Sequence, residues 1–409
     1  MKKRWILPLL AVLANTGSSH SGIRISREAE PFLAAPAVSG ARALGMGGIT
    51  SVTSRGIDGL SGNPAGLCLE GPNLAVDFSF PFLVRSGYGE SDVKFEDYTR
   101  LDFHDLSSSP PGMPRLAIAV PLIRTRPRPV LGLAFRHFYN WNFSREWTFR
   151  YVYSTFDTNI HEKFETRGLF NTFTSGLGLS LTPSWSAGVL FHVPVRPRLQ
   201  IEHSQTSRNH QLPYNQQEWS EKYTIALSAS SFWALGTIIR VKDRLALSLG
   251  FQTPHRIEFL LHDGWFTDRW KMPETVDFGL SVRPLKSLLI AAEIQSRPWH
   301  ALTINGRHPE SMPGGVSFRL GLEGGSRRFW RIGAARDPLP IDPDNDGKPV
   351  ISRMITVGLG LRSSTFQLDM AGSLQWASYP DPDALNNGRY QMRQGRFLVS
   401  LTAGFPRRE

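Results

Sequence analysis

Apolar and polar residues alternate in short segments along most of the chain after residue 72. Around residues 366–370, for example, Phe366, Leu368 and Met370 point one way, and Gln367 and Asp369 point the other. A period of two is typical of a β-strand with one apolar and one polar face, whereas an amphipathic helix repeats at i, i+3, i+4 and i+7. The pattern therefore predicts an all-β structure over this region.

This alternation predicts about fourteen strands, an even number, as bacterial single-chain barrels have. The segment Trp147–Phe156 either extends the third of them or forms a hairpin of its own. The predicted strands lie near 72–86, 113–123, 129–145, 161–182, 185–204, 217–240, 244–262, 273–283, 287–298, 315–323, 328–336, 351–362, 365–378 and 393–405.

Short and long connections follow each other in turn between these strands. Pro183–Ser184 and Ser363–Ser364 are tight, while Tyr88–Gly112 and Ala335–Val350 are long. Short turns on one rim and long loops on the other are typical of outer-membrane barrels, and a soluble β-sandwich gives no reason for them. We predict a transmembrane antiparallel β-barrel of about fourteen strands over residues 72–409.

The N-terminus has the pattern of a secretory signal peptide. A basic start, Lys2–Arg4, precedes the short apolar run Trp5–Ala14, which is too short to cross about 30 Å of hydrocarbon as a helix. We predict a signal peptide over residues 1–21 and export to the outer membrane of a Gram-negative type of cell. An N-terminal membrane anchor is the alternative.

Composition agrees with a barrel that also has a polar face. The hydrophobic share is 41% and the mean hydropathy is −0.22, because only one face of each strand meets lipid. The net charge of +11 is scattered along strands and turns, which favours contact with anionic lipid head groups over nucleic acid. The single cysteine, Cys68, excludes an internal disulfide and a multi-cysteine metal site.

Known catalytic motifs are missing from the sequence, so we predict no catalytic residues and no enzyme. There is no G-x-S-x-G, no H-E-x-x-H and no P-loop. Asp342, Asp344 and Asp346 alternate ahead of Gly347, as at the start of a Ca²⁺ loop, but the twelfth position is Arg353 instead of Glu. Two interpretations remain, a solvated acidic turn and Ca²⁺ bound in an outer loop; no other cofactor is predicted.

Residues 22–71 lack the alternation and are rich in glycine, which permits positive φ and close backbone approach. We predict a compact hatch, or plug, inside the barrel. The residues that stand out in it are the glycines of the first cluster and a tight Asn-Pro turn: Gly45, Gly47, Gly48, Asn63, Pro64 and Ala65.

These two motifs, Leu44–Gly48 and Asn63–Leu67, resemble the N-terminal hatch of the FadL/OmpP1/TodX superfamily of outer-membrane transport proteins, which shades into the PorV-like barrels. Weaker matches run along the chain, among them Leu245–Pro254 and Arg331–Ala334. The resemblance implies a fourteen-stranded barrel plugged from the periplasmic side. It also implies that Asn63, Pro64 and Ala65 gate or anchor the plug; a turn with no further role is the alternative.

Charged residues inside the predicted strands are expected to face the lumen, because a charge on the lipid face costs about 2–4 kcal/mol at the midplane. Their placement in the period of two does not show whether they select solutes or pair with one another. The candidates are Arg136, Asp277, Arg283, Arg319, Glu323, Arg331 and Asp369.

The function implied by the resemblance is passive uptake of hydrophobic small molecules of the long-chain fatty acid or aromatic hydrocarbon type. One alternative is a PorV-like barrel without transport that serves protein secretion or surface attachment, and another is a general porin. The implied partners are the solute, outer-membrane lipid, lipopolysaccharide and the barrel-assembly machinery, with no nucleic acid.

Overall fold

The computed structural model describes most of the chain. The predicted signal peptide lies outside the described residues, and so do residues 22–39 and 70–71 of the predicted hatch. The described residues are 40–69, 74–91, 98–109, 115–123, 127–140, 143–153, 156–209, 216–242, 244–261, 267–308, 312–340, 347–380 and 389–405.

Residues 40–69 form a compact segment that we call the hatch. It contains the short helix α1 (Ala41–Gly45) and two 3₁₀ turns, Gly56–Leu60 and Pro64–Cys68. The second turn begins where the Asn63 side chain accepts a hydrogen bond from the Ala65 N–H, with proline at the next position, as expected for a capped helical start. No helix among the described residues is long and apolar enough to cross a membrane.

The rest of the described chain is almost entirely strand. In the first half the strands are β1 (Leu74–Ser91), β2 (Tyr98–Ser109), β3 (Arg115–Pro121), β4 (Arg128–Asn140), β5 (Phe143–Tyr153), β6 (Phe156–Ser180), β7 (Trp185–Asn209), β8 (Gln216–Ala229), β9 (Phe232–Val241) and β10 (Leu245–Gln252). In the second half they are β11 (His255–Leu261), β12 (Thr267–Met272), β13 (Thr275–Leu285), β14 (Leu288–Arg297), β15 (Thr303–Ile304), β16 (Gly315–Gly325), β17 (Arg328–Pro338), β18 (Ile351–Arg362), β19 (Phe366–Pro380) and β20 (Arg389–Phe405), with a 3₁₀ turn at Trp299–Ala301.

Fourteen of these strands are joined by antiparallel pairing into a ring. The order is β1, β3, β4, β6, β7, β9, β10, β13, β14, β16, β17, β18, β19 and β20. The last strand, β20, then pairs with β1 from Leu74↔Phe405 to Glu90↔Arg389. The prediction of an antiparallel barrel of about fourteen strands is confirmed.

The other six strands lie in the long connections and extend the wall beyond the ring. They are β2, β5, β8, β11, β12 and β15, paired with one another or with the far ends of β1, β6 and β7. The opposite rim carries the short turns, such as Lys286–Ser287 and Ser326–Arg327. In an outer-membrane barrel the short-turn rim faces the periplasm.

Two predicted strands are wrong in detail, because each divides in two. The prediction 217–240 contains β8 and β9, and 244–262 contains β10 and β11. Pro254, which cannot donate a ladder hydrogen bond, lies at the second break. Thr253 bonds Trp233 across the gap, so both breaks lie side by side and the pair β9–β10 continues as β8–β11. The segment around Trp147 is a strand of its own, β5.

The outer face of the ring is apolar and the inner face is mixed. On β18, Val357 is 64% exposed, whereas its neighbour Thr356 is 2% exposed. On β13, Phe278 and Leu280 are exposed and the intervening Gly279 is buried. A continuous exposed apolar surface of this kind is stable against lipid and costly in water.

Candidate transport lumen

The hatch lies against the inner wall so closely that glycines are required on both sides. Gly47 and Gly48 have φ of 75° and 80°, a left-handed conformation that favours glycine. A Cβ on Gly47 would lie 2.8 Å from the carbonyl oxygens of Leu320 and Ala334 on the wall. The third predicted hatch glycine, Gly45, lies against Gly358 and Arg331. All three pack directly on β16, β17 and β18.

Glycines of the wall match them. A Cβ on Gly321 would lie 2.6 Å from the Met46 carbonyl oxygen, and one on Gly132 would lie 2.7 Å from Leu60. The wall glycines in this role also pair across strands, as do Gly321↔Gly333 and Gly188↔Gly236. Glycines within strands usually mark close backbone approach, and here the approaching backbone is the hatch.

Asn63 fixes the hatch to a different part of the ring. Its side-chain Nδ2 donates to the carbonyl oxygens of Thr237 (3.2 Å) and Leu249 (3.3 Å), on β9 and β10. Its Oδ1 accepts from the Ala65 N–H at 3.0 Å. Pro64 and Ala65 are buried beside Gly188 of β7. The predicted Asn-Pro-Ala turn thus contacts the wall through both side chain and backbone.

A buried ion-pair chain joins the hatch to β16, β17 and β19. Arg42 of α1 donates from Nε and Nη2 to the two oxygens of Glu323, at 2.8 and 3.0 Å. Glu323 also accepts from Arg331 at 2.8 Å, and Arg331 donates to Asp369 at 2.6 Å. Burial alone would lower the pKa of the Arg42 guanidinium, but the adjacent Glu323 carboxylate raises it overall, so Arg42 stays charged.

A second cluster of charged side chains binds the backbone of the hatch. Glu293 of β14 accepts from the backbone N–H groups of Thr50 and Ser51 at 2.8 and 2.7 Å. Its other oxygen accepts from Arg319 at 2.5 Å, and Arg319 also contacts Asp337 at 3.3 Å. Arg319 is therefore held by two carboxylates and positions the one that binds the hatch.

The seven predicted lumen-facing charges all lie on the inner face of the ring. Glu323, Arg331 and Asp369 form the first ion-pair chain, and Arg319 belongs to the second cluster. Arg136 donates to the Ser61 carbonyl oxygen at 3.3 Å and lies 5.1 Å from the Phe138 ring centroid. Asp277 and Arg283 lie on β13, on the face opposite its exposed apolar residues.

Several hatch contacts could not be found from sequence patterns. The roles of Arg42, Glu293 and Arg115 were not predicted from the sequence. Arg115, for example, donates to Ser61 Oγ of the hatch at 3.0 Å. Arg42 and Glu323 are 281 positions apart in the chain, so no local spacing links them. The only available signal was that Arg42 lies within the glycine-rich segment.

Above the hatch, toward the rim with the long connections, the interior is mostly apolar, with a few buried polar side chains. Phe232 is stacked between His192 and His255 with centroids 4.5 Å from each, and Phe138 meets Phe232 edge-on at 5.1 Å. His192 Nδ1 lies 2.8 Å from Thr174 Oγ1. We call the larger set of buried residues the apolar tier: Phe138, Phe170, Leu199, Ile225, Leu227, Phe232, Ile257, Phe259, Trp270, Met272, Trp299, Leu302, Ile304 and Met312.

The arrangement separates the lumen into two levels with different chemistry. The apolar tier offers rings and aliphatic side chains, whereas the hatch below it is held by charged and polar groups in addition to apolar contacts, such as those of Leu60 with Leu190. Arg136 contacts both levels, through Phe138 and through Ser61. Such an arrangement can solvate an apolar molecule above the hatch while blocking a continuous aqueous path.

The predicted acidic loop is untested by the structure. Asp342, Asp344 and Asp346 lie outside the described residues. Within the ranges that the structure describes, no group of three or more His, Cys, Asp or Glu side chains is placed to hold a metal ion. Ca²⁺ binding in this loop stays a prediction.

No family model and no curated protein matches the chain, but solved structures do. The CymD monoaromatic hydrocarbon channel is 11% identical, with a TM-score of 0.54 over 92% of this chain and 99% of that one. The toluene transporter TodX of Pseudomonas putida is 13% identical (TM-score 0.53; 90% and 98% covered). The toluene transporter TbuX of Ralstonia pickettii is 12% identical (TM-score 0.54; 90% and 98% covered). These comparisons confirm that the chain shares the fold of these three channels.

Proposed function

We propose that the protein is an outer-membrane channel for passive uptake of hydrophobic small molecules. A signal peptide would direct its export toward that membrane. The observation that carries the proposal is the apolar tier, which lies inside the barrel and directly above a hatch that closes it. The solute would belong to the aromatic hydrocarbon or long-chain fatty acid type. The names of the similar structures, which are hydrocarbon channels, support the same general role. No catalytic step is assigned to the protein.

The lumen favours this function over that of a general porin. An open porin needs a continuous water-filled passage, and here large buried side chains such as Phe170 and Trp270 fill the upper level while the hatch fills the lower one. An apolar molecule entering the tier exchanges water for ring contacts, with a gain of about 25 cal/mol for each Å² of apolar surface buried.

The test is uptake by liposomes that contain the purified protein. We expect the wild type to speed entry of toluene or oleate, measured separately, and to leave entry of glucose unchanged. Phe232→Glu places a charge inside the apolar tier and should slow apolar uptake several-fold. A second comparison uses alanine at both positions, Phe232→Ala against Phe251→Ala as its control. Phe251 is exposed on the lipid face, where a glutamate would itself disturb the barrel.

Uptake that is equal for protein-containing and empty liposomes would contradict the proposal. A PorV-like scaffold for secretion or surface attachment would then become the better hypothesis. That alternative predicts that the protein, solubilised gently from its native membrane, co-purifies with a large secretion assembly.

A further inference from the structure

A cavity of about 280 Å³ lies between the underside of the hatch and the short-turn rim. The hatch contributes α1 and the 3₁₀ turn at Gly56–Leu60, and the wall contributes the turns after β13 and β16. This cavity is on the opposite side of the hatch from the apolar tier. The uptake proposal gives it no role.

Cations outnumber carboxylates around this cavity. The carboxylates are Asp58, Glu323 and Asp369, and each contacts an arginine. Glu323 contacts Arg42 and Arg331, and Asp369 contacts Arg331. Asp58 contacts Arg115, which does not line the cavity. The cations that line the cavity are Arg42, Arg55, Arg283, Lys286, Arg331 and Arg362.

Two of these cations form no direct ion pair within the described part of the chain. The side chains of Arg283 and Lys286 make no ion pair or hydrogen bond with any described residue. Arg283 is half-buried and lies near enough to Arg42 for the two like charges to repel each other. Glu323 attracts Arg283 and offsets part of this repulsion, but no carboxylate of the described residues lies within ion-pair distance of Arg283, so a further anion would be stabilised beside it.

We propose that this cavity is a binding site for an oxyanion, a phosphate or a carboxylate group, held by Arg283 and Lys286 of the wall beside Arg42 of the hatch. Guanidinium groups match the planar geometry of carboxylate and phosphate oxygens and form two parallel hydrogen bonds to them. Because Arg42 belongs to the hatch and the other two to the wall, a bound oxyanion links hatch and wall on the periplasmic side.

The oxyanion could arrive free or as the head of an amphiphile, and separate probes distinguish these sources. Full-length protein in non-ionic detergent is titrated calorimetrically with inorganic phosphate, with octanoate and with uncharged octanol, at an ionic strength held constant with chloride. We expect saturable binding of phosphate for a free oxyanion. Binding of octanoate, with neither phosphate nor octanol bound, identifies the head of an amphiphile.

The test variant is the double substitution Arg283→Gln and Lys286→Gln. It should weaken binding of whichever probe binds by about tenfold or more, since two charge-assisted contacts are lost. The matched control is Lys242→Gln with Arg328→Gln, which removes two exposed cations of the same rim that do not line the cavity. The control should bind as the wild type does.

Absence of saturable oxyanion binding to the wild type overturns the proposal, and so does equal weakening by both double variants. Circular dichroism and heat-modifiable migration of the test variant show whether it has folded; if it has not, the single variant Lys286→Gln, on the exposed turn, replaces it with the same criterion. The site is independent of the solute that the channel carries. Failure of oxyanion binding leaves the uptake experiment unaffected, and failure of uptake leaves this titration unaffected.

Discussion

At the scale of single residues, Glu323 has the most demanding position, because one carboxylate serves two arginines. Arg42 comes from the hatch and Arg331 from the wall, and both are almost fully buried. Removing one partner of a buried ion pair costs more than the pair contributes, since the remaining charge has lost both water and counter-charge. Glu323 therefore ties hatch stability to wall stability.

We predict that Glu323→Gln lowers the free energy of unfolding by about 3–5 kcal/mol. The measurement is urea unfolding in detergent micelles, followed by tryptophan fluorescence. Glu258→Gln is the control, because Glu258 pairs with Arg269 at an exposed site, where a salt bridge contributes less than about 1 kcal/mol. Equal losses in the two variants would show that the ion-pair chain does not hold the hatch.

Asn63 offers a second residue-level test, with Cys68 as a native reporter. Cys68 is 6% exposed, and burial raises the pKa of its thiol, so it should react slowly with a maleimide while the hatch is seated. Asn63→Ala removes the contacts to Thr237 and Leu249 and should speed the reaction. Asn63→Asp should speed it further, because a carboxylate would face two carbonyl oxygens.

Thr182→Ala is the control for this labelling experiment. The Thr182 hydroxyl accepts from the backbone N–H groups of Ser184 and Trp185 in its own short turn, away from the hatch. Unchanged labelling in both Asn63 variants would mean that the Asn-Pro-Ala turn does not anchor the hatch. The simpler interpretation, a tight turn with no further role, would then stand.

At the scale of elements, the glycines of the wall explain how the hatch fits. A Cβ on Gly321 meets the Met46 carbonyl oxygen, which belongs to a backbone that cannot rotate away. A Cβ on Gly372, on the outer face, meets only a carbonyl oxygen at 3.8 Å. Two glycines in neighbouring parts of the same sheet therefore differ in what an added methyl group would do.

We predict that Gly321→Ala displaces the hatch and raises the rate of Cys68 labelling, whereas Gly372→Ala leaves it unchanged. The methyl group on residue 321 would force the hatch backbone away from β16, while alanine at residue 372 adds apolar surface that faces lipid. If Gly372→Ala raised the labelling rate as much, the effect would come from strand conformation and not from contact with the hatch.

The strands could be predicted from the sequence because their signal is local. Successive side chains of β13 and β18 point alternately to lipid and to the lumen. A shift of one residue in strand register would turn every side chain to the wrong face, so the pattern is strict. Pro254, at the break between β10 and β11, was visible in the sequence but was included within one predicted strand. Strand boundaries depend on such single residues more than on alternation.

The hatch contacts depend on residues far apart in the chain and could be predicted only in part. Asn63 and Gly47 stood out because their local motifs are unusual, although the sequence named none of their partners on the wall. Glu293 had no distinguishing motif, and its partner Thr50 is 243 positions away. Pairing of this kind requires the register of the whole ring, which no short segment contains.

At the scale of the whole molecule, the closed ring and its apolar outer surface set the behaviour in detergent. We predict that the folded protein migrates faster than the heated protein in gel electrophoresis with SDS, because the ring resists the detergent until it is heated. Circular dichroism of the unheated sample should show mainly β-structure. Identical migration of heated and unheated samples, or a soluble monomer without detergent, would contradict a membrane barrel.

The hydrogen bond from the Ala41 N–H to Ser400 Oγ spans 359 positions, from the start of the hatch to the last strand. During synthesis the hatch emerges early, but its final partner does not exist until nearly the whole polypeptide has been made. Contact order is therefore high, and slow folding is expected. Until the ring closes, exposed apolar surface and unpaired strand edges must be kept from aggregating. Folding of this protein should therefore depend on periplasmic holding chaperones more than folding of a barrel without a plug does.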